Sequence, residues 1–298
     1  MDALITILLD GLQYSSYLFI VSAGLTIIFG VMKILNVCHG SFYAWGAYTA
    51  AFFISKFSDM GWPDAFGFVI ILLSAVAVGV VLGLLIERGL LRYMYERDEV
   101  LIVLATFGMF LVLEDVILLV FGVNPYFAYQ PMAYLDSVEI GGIIRDVYGL
   151  SLIGMATLVA VVCWYGLNRT KWGDILKAVI YDREISVALG INVTMVYIVT
   201  FVGGAVLGAL GGAYIAPTVS VAPGFGIDVI VLSFAVVVVG GMGSIPGALI
   251  GSVLIGITRA VTVHEFPEIE LFVVFAIMAV VLVFRPEGLF APAKQRKI

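Results

Sequence analysis

The chain has 298 residues, 62% hydrophobic and only 12% charged, with a net charge of −6 and a mean hydropathy of +1.15. These values exclude an ordinary soluble domain. Crossing ~30 Å of hydrocarbon takes ~20 mostly apolar residues, and several runs meet that requirement, so the chain reads as a polytopic membrane protein.

The apolar runs are continuous, as over 66–86, which suits helices and not the ~10-residue apolar–polar alternation of barrel strands. The chain opens with Asp2 and Asp10 and no basic stretch, so the first apolar segment is expected to stay in place and not be cleaved as a signal peptide. Residues 2–10 are read as a short interfacial helix. The apolar passes then run over 12–30, 34–54, 66–86, 100–121, 150–167, 193–213, 227–239, 248–261 and 271–284. The pair 227–239 and 248–261 is too short to span segment by segment, so it is read as a broken or re-entrant pair. The expected fold is an all-α membrane helical bundle of eight or nine membrane segments, forming one domain over 1–298.

One stretch stands apart from this apolar background. Residues 169–191 are polar and basic at the start, and too polar around Lys177, Asp182, Arg183 and Glu184 for lipid. They read as a non-spanning helix with Asp174 as N-cap and Gly190 at the left-handed end position. Leu176, Val179 and Ala188 share an apolar side. On pattern alone this is either a solvated interhelical loop or a handle for a partner.

Orientation follows from the basic residues. One alternating set of loops holds Lys33, Arg88, Arg92, Arg97, Arg169, Lys171, Lys177, Arg183, Arg285, Lys294, Arg296 and Lys297, twelve of the fifteen. The other set holds Lys56, Arg145 and Arg259 among acids such as Asp136, Glu139, Glu265 and Glu270. The first set belongs inside. The stretch 169–192 and the C-terminus are then cytoplasmic, and the N-terminus is outside.

Gly204, Gly208, Gly212 and Ala216 recur every four residues, and Gly79 and Gly83 do the same, a spacing that lets helix backbones approach closely. This fits either packing within the chain or a dimer seam. Two interruptions break the spans: Asn36 to Ser41, including His39 and Gly40, and Gly240 to Gly247, including Gly241, Gly243 and Pro246. Irregular backbone at membrane depth is tolerated where it faces protein or a watery path, and paired interruptions point to a transport pathway. The two breaks are therefore expected to face each other across or beside that path. Their mutual likeness is too faint to define a repeat.

Chemistry is sparse. There is no phosphate-binding loop, no nucleophile elbow and no metal-ligand spacing, and His39 and His264 are far apart in sequence. No catalysis, metal, cofactor or nucleic-acid partner is read. Cys38 and Cys163 sit in apolar surroundings as small hydrophobes. Glu114 is either a path-lining acid or, with Asp115, an interfacial pair. His39, with Asn36 and Ser41, either binds a polar solute or caps broken backbone. Tyr43, Trp45 and Tyr48 either wall the path or pack as an interfacial belt. An ion- or proton-coupled carrier or channel is the alternative function, and would need a buried series of ionisable groups that is not evident.

Six pieces together carry a resemblance over nearly the whole chain: GLTIIFG over 24–30, the Asn36–His39–Gly40 run through Tyr48, TFG over 106–108 with Glu114 and Asp115, DRE over 182–184 through Asn192, the glycine-rich 240–248, and RPEGLF over 285–290. Their order and spacing are similar to the permease subunit of ABC importers of the branched-chain amino-acid type, in its shorter LivH-like form. Departures occur at Val37, Cys38 and Ser41, at Lys177, and at Ile185 and Ser186. They leave the solute open among amino acids, amides, urea and small organic acids. The resemblance implies a bacterial or archaeal cytoplasmic (inner) membrane location and a non-enzymatic subunit forming the translocation path. It implies a second permease subunit, two cytoplasmic ATPase subunits and an extracytoplasmic solute-binding protein as partners, besides the surrounding lipid. Asn36, His39, Ser41, Glu114, Gly240, Gly241, Gly243 and Pro246 are then the expected path residues. Asp182, Arg183, Glu184, Ala188 and Gly190 are expected to couple to the ATPase.

Overall fold

A computed structural model describes residues 2–140 and 142–290; the basic residues Lys294, Arg296 and Lys297 used for orientation lie outside them. The chain runs α1 (Asp2–Met32), α2 (His39–Asp59), α3 (Phe66–Gly89), α4 (Glu99–Phe121) and α5 (Gln130–Leu135). A small antiparallel hairpin follows, β1 (Ser137–Ile140) and β2 (Ile143–Asp146). The rest is α6 (Val147–Arg169), α7 (Lys171–Tyr181), α8 (Arg183–Ala188), α9 (Val193–Ile215), α10 (Phe225–Gly240), α11 (Ile245–Glu265) and α12 (Glu270–Phe284).

The expected helical membrane bundle is present. Among the described residues six helices are long and apolar enough to cross a membrane: those beginning at Leu4, Phe66, Glu99, Val147, Val193 and Ile245. The shorter apolar helices are Phe225–Gly240 and Phe272–Phe284. Each apolar pass became a helix, but four local readings change. The pass 248–261 extends to Ile245–Glu265, long enough to cross by itself, so of the expected short pair only Phe225–Gly240 stays short. Residues 2–10 are not a separate interfacial helix; they continue into α1, because no residue between Asp10 and Leu12 interrupts the backbone ladder. The stretch 169–191 is two helices, since Asp182 turns extended (φ −155°, ψ 107°) and its side chain caps α8. The N-cap of α7 is Thr170, whose hydroxyl accepts from the Gly173 N–H, and Asp174 falls in the first turn.

The packing has an internal pattern. α1 and α9 pack on each other; α11 lies chiefly on α1 and α3 chiefly on α9. α2 packs with α3, α4 and α10, and α10 with α11, α12 and α2. Exchanging α1–α4 for α9–α12 leaves this description largely unchanged. The two central helices run antiparallel, since Gly24 meets Gly204 while Val21 meets Gly211. The two halves are therefore inverted copies in topology. The repeat lives in the helices and not in the two broken segments.

The small residues serve this packing inside one chain. A Cβ on Gly212 would collide with the Tyr43 carbonyl, and one on Gly46 with the Ala209 carbonyl. Gly79 lies against the Val206 backbone and Gly83 against Val202 and Ala205. Close backbone approach of α9 to α1, α2 and α3 requires these glycines. The faces of α4 and α6 are largely exposed, with large apolar side chains such as Leu119, Leu158, Val162 and Trp164 turned outward. In a membrane that surface is at no disadvantage.

Candidate functional site

The two ends of the bundle differ. At one end Gly30 of α1 abuts Gly243 in the α10–α11 turn. That turn is sealed by the last described residues. The Leu289 N–H donates to the Val239 carbonyl and the Phe290 N–H to the Gly240 carbonyl, each at 2.9 Å. These bonds satisfy carbonyls that the end of α10 leaves without intrahelical partners. Gly241 (φ 109°) and Gly288 (φ 83°) adopt backbone that favours glycine, and a Cβ on Gly241 would lie 2.5 Å from the Phe290 carbonyl oxygen. Pro246 sits in the first turn of α11, where its missing N–H costs nothing, and the Ser244 hydroxyl caps that helix by accepting from Gly247 N–H at 3.1 Å. The residues Gly240, Gly241, Gly243 and Pro246 thus form a closed, backbone-packed turn.

At the other end a cavity of about 840 Å³ opens between α1, α2, α6, α10, α11 and the start of α12. Its wall is aromatic: Tyr14 meets Tyr17 edge-on at 5.0 Å, Tyr17 lies 6.3 Å from Tyr43, and Tyr43 stacks on Phe225 at 5.1 Å. Its rim is charged, with Asp10, Asp146, Asp228, Arg259, His264 and Glu270. Asp10 accepts from Arg145 at 2.6 Å and pairs with His264 at 2.9 Å, tying the β-hairpin and α11 to α1. Arg259 pairs with Glu270 and lies 3.8 Å over the centroid of Tyr14.

Asn36, His39, Ser41, Glu114, Gly240, Gly241, Gly243 and Pro246 do not line this cavity. Tyr43 does; Trp45 instead donates to the Leu113 carbonyl, and Tyr48 packs among Phe121 and Tyr126. His39 is fully buried deeper in the bundle. Its Nε2 lies 3.0 Å from the Val21 carbonyl, and its ring fills the space left by Gly24 and Gly208. Asn36 is equally buried and neither atom of its amide has a partner; the Nδ1 of His39 and the hydroxyls of Ser22 and Thr26 on α1 share that condition. Ser41 is buried beside Cys38. The broken backbone before α2 is partly satisfied by Thr106, whose hydroxyl accepts from Val37 N–H at 3.3 Å. Glu114 is half-buried within reach of the Gly224 backbone, its Oε1 without a hydrogen bond near Gly226. The two interruptions touch different partners: Asn36–Ser41 meets α1, α4, α9 and α10, while the glycine turn meets the end of α1 and the C-terminal segment.

The non-spanning stretch lies at the closed end. Asp182 Oδ1 accepts from Ile185 N–H at 2.9 Å, so this acid caps α8. Gly190 (φ 84°) ends it as the sequence reading placed it: its N–H reaches Val187 O and the Ile191 N–H reaches Ser186 O, both at 3.0 Å. Arg183 lies 6.0 Å over Tyr197, while Glu184, Ala188 and Gly190 are exposed. Ile185, Val187 and Leu189 also turn outward.

The residues that line the cavity were mostly missed in sequence. Asp228 and Arg259 fall inside apolar passes, and an ionisable residue inside such a pass was the available signal.

A family model described as the permease component of the branched-chain amino acid transport system matches residues 7–282. The chain belongs to this family. The permease is 26% identical to the high-affinity branched-chain amino acid transport system permease protein BraD of Pseudomonas aeruginosa, covering 98% of this chain and 97% of that protein. It is 25% identical to LivH of Escherichia coli, another high-affinity branched-chain amino acid transport system permease, over 97% and 96% of the two chains. A probable branched-chain amino acid permease of Methanocaldococcus jannaschii is 24% identical over 87% of this chain and 81% of that one. The protein is a multi-pass transport subunit of that kind.

Proposed function

We propose that the permease carries a small polar solute, a branched-chain amino acid or a related amino acid or amide, across a bacterial or archaeal cytoplasmic membrane, entering through the 840 Å³ cavity. The observation that carries this reading is the asymmetry of the bundle. One end holds an open aromatic and charged cavity; the other is closed by glycine turns and presents the exposed apolar side chains of α8. A solute-binding protein delivers to the open end, which faces outward because the basic loops cluster at the other. ATPase subunits act at the closed end on Arg183–Ala188, with Asp182 and Gly190 fixing that helix's two ends. A second permease subunit completes the membrane unit.

Beneath the cavity, the unpartnered polar atoms of Asn36, His39, Ser22 and Thr26 provide the next contacts along the path. Buried polar atoms without partners cost ~1–3 kcal/mol each and persist where something else satisfies them. Glu114, near the start of α10, borders that seam. A carrier driven by ions or protons is not favoured: Glu87, Glu114 and His39 lie on separate helices and form no series. The test is uptake into liposomes holding the permease with its partner permease and ATPase. Leucine accumulation that needs both internal ATP and the binding protein supports the reading; accumulation driven by an ion gradient without ATPase refutes it.

A further inference from the structure

The cavity wall carries opposite charges that do not pair with each other. α10 and α11 run antiparallel from the turn: Gly240 meets Gly247, and Gly251 meets the Val236 carbonyl. Continuing eight residues along each helix from Val236 and Gly251 brings Asp228 level with Arg259. Both line the cavity beside Tyr14, which Arg259 covers. Yet Arg259 pairs with Glu270 on α12, and its Nε is buried without a partner. The other lining acids are engaged: Asp10 with Arg145 and His264, Asp146 as the cap of α6, and Glu270 with Arg259. Among the described lining residues Asp228 is the carboxylate with neither a hydrogen bond nor an ion pair, and it is exposed to the cavity.

The geometry points to a recognition site for the charged end of a zwitterion, with Asp228 accepting the solute's ammonium group and Arg259 meeting its carboxylate. The inference rests on the importer reading of this cavity and adds which residues select. A free acid on the wall of a cavity with apolar sides attracts an ammonium and repels an anion, because the low-dielectric walls focus its field. The aromatic wall of Tyr14, Tyr17, Tyr43 and Phe225 offers apolar faces to an aliphatic side chain. A 2-oxo acid of the same shape lacks the ammonium and leaves Asp228 unneutralised, so the site discriminates against it. Urea, with no charge to offer, gains only hydrogen bonds from the two groups and none of the charge pairing.

The test uses the full-length permease in lipid nanodiscs, with Cys38 and Cys163 replaced by Ala and a single reporter, Val219→Cys, on the cavity wall. The reporter is labelled with a cationic and an anionic methanethiosulfonate, each rate normalised to that of a free thiol in water. The cationic reagent is expected to be favoured about tenfold, a ratio that Asp228→Asn lowers severalfold, with Asp146 still on the rim, and Asp228→Glu retains. Millimolar leucine is expected to slow labelling in the Asp228 and Glu forms and not in the Asn form, while 4-methyl-2-oxopentanoate slows none. Equal normalised rates with Asp228 present, or equal leucine protection in the Asn form, overturn the proposal. Retained Glu-form behaviour shows that a loss in the Asn form is not misfolding. Should leucine protection depend on Asp228 while the assembled transporter shows no ATP-driven leucine uptake, the site stands and the importer reading falls.

Discussion

If α8 is what the ATPase grips, its outward apolar side chains should hold the complex together without holding the permease together. Ile185 is 55% exposed and Leu189 74% exposed, so neither contributes much to the fold of the chain alone. Burying a whole aliphatic side chain contributes ~2 kcal/mol; scaled by those exposures, the pair stands to lose ~2.5 kcal/mol of association on truncation to a polar residue. That is about seventyfold in an equilibrium constant. The double variant Ile185→Asn, Leu189→Asn should therefore insert and purify normally, keep its melting behaviour in detergent, and lose ATPase binding by roughly that factor. Co-purification titrated against ATPase concentration reads the loss directly, and solute-stimulated hydrolysis in liposomes should fall with it. Unchanged ATPase affinity in a well-folded double variant would refute α8 as the docking helix.

Four further outcomes follow from particular contacts. Gly212→Ala, whose Cβ meets the Tyr43 backbone, should cost at least the ~1–3 kcal/mol typical of overpacking, whereas Gly190→Ala, with open space around it but φ 84°, should cost only ~1 kcal/mol; thermal unfolding in detergent separates the two. Removing the cap by Asp182→Ala should cost ~1 kcal/mol locally and speed amide exchange in α8 while sparing α9. Tyr95→Phe leaves the fully buried Glu87 without its 2.6 Å hydrogen bond and should destabilise the chain by ~1–3 kcal/mol. A single cysteine at Asp182 should resist an impermeant thiol reagent applied to intact cells, while one at Ser137 in the hairpin should react; the opposite result reverses the orientation.

Much was fixed by local chemistry. The apolar passes became helices because each run is long enough to bury its own backbone hydrogen bonds, and in lipid nothing else satisfies them. Gly190 and the polar, non-spanning stretch were legible because a left-handed end position and a run of charges are local signals. Local signals also misled: Asp174 looked like a cap, but Thr170 stands one turn earlier with its hydroxyl placed on Gly173 N–H. The candidate site was the least legible part. Tyr14 and Tyr43 come from α1 and α2, Asp228 and Arg259 from α10 and α11 at the far end of the chain, and nothing local distinguishes an aromatic on a cavity wall from one in the core, as Tyr48 shows. Likewise the glycine turn at 240–247 declared itself as irregular, but whether it lined a path or sealed an end depended on Phe290 and Gly288 folding back onto it. Sequence by itself determined which segments are helical and membrane-embedded, because that depends on each segment and its solvent. Only the tertiary structure decided which charges meet, which stay unpaired and where space remains, because those follow from distances between segments that the chain order does not contain.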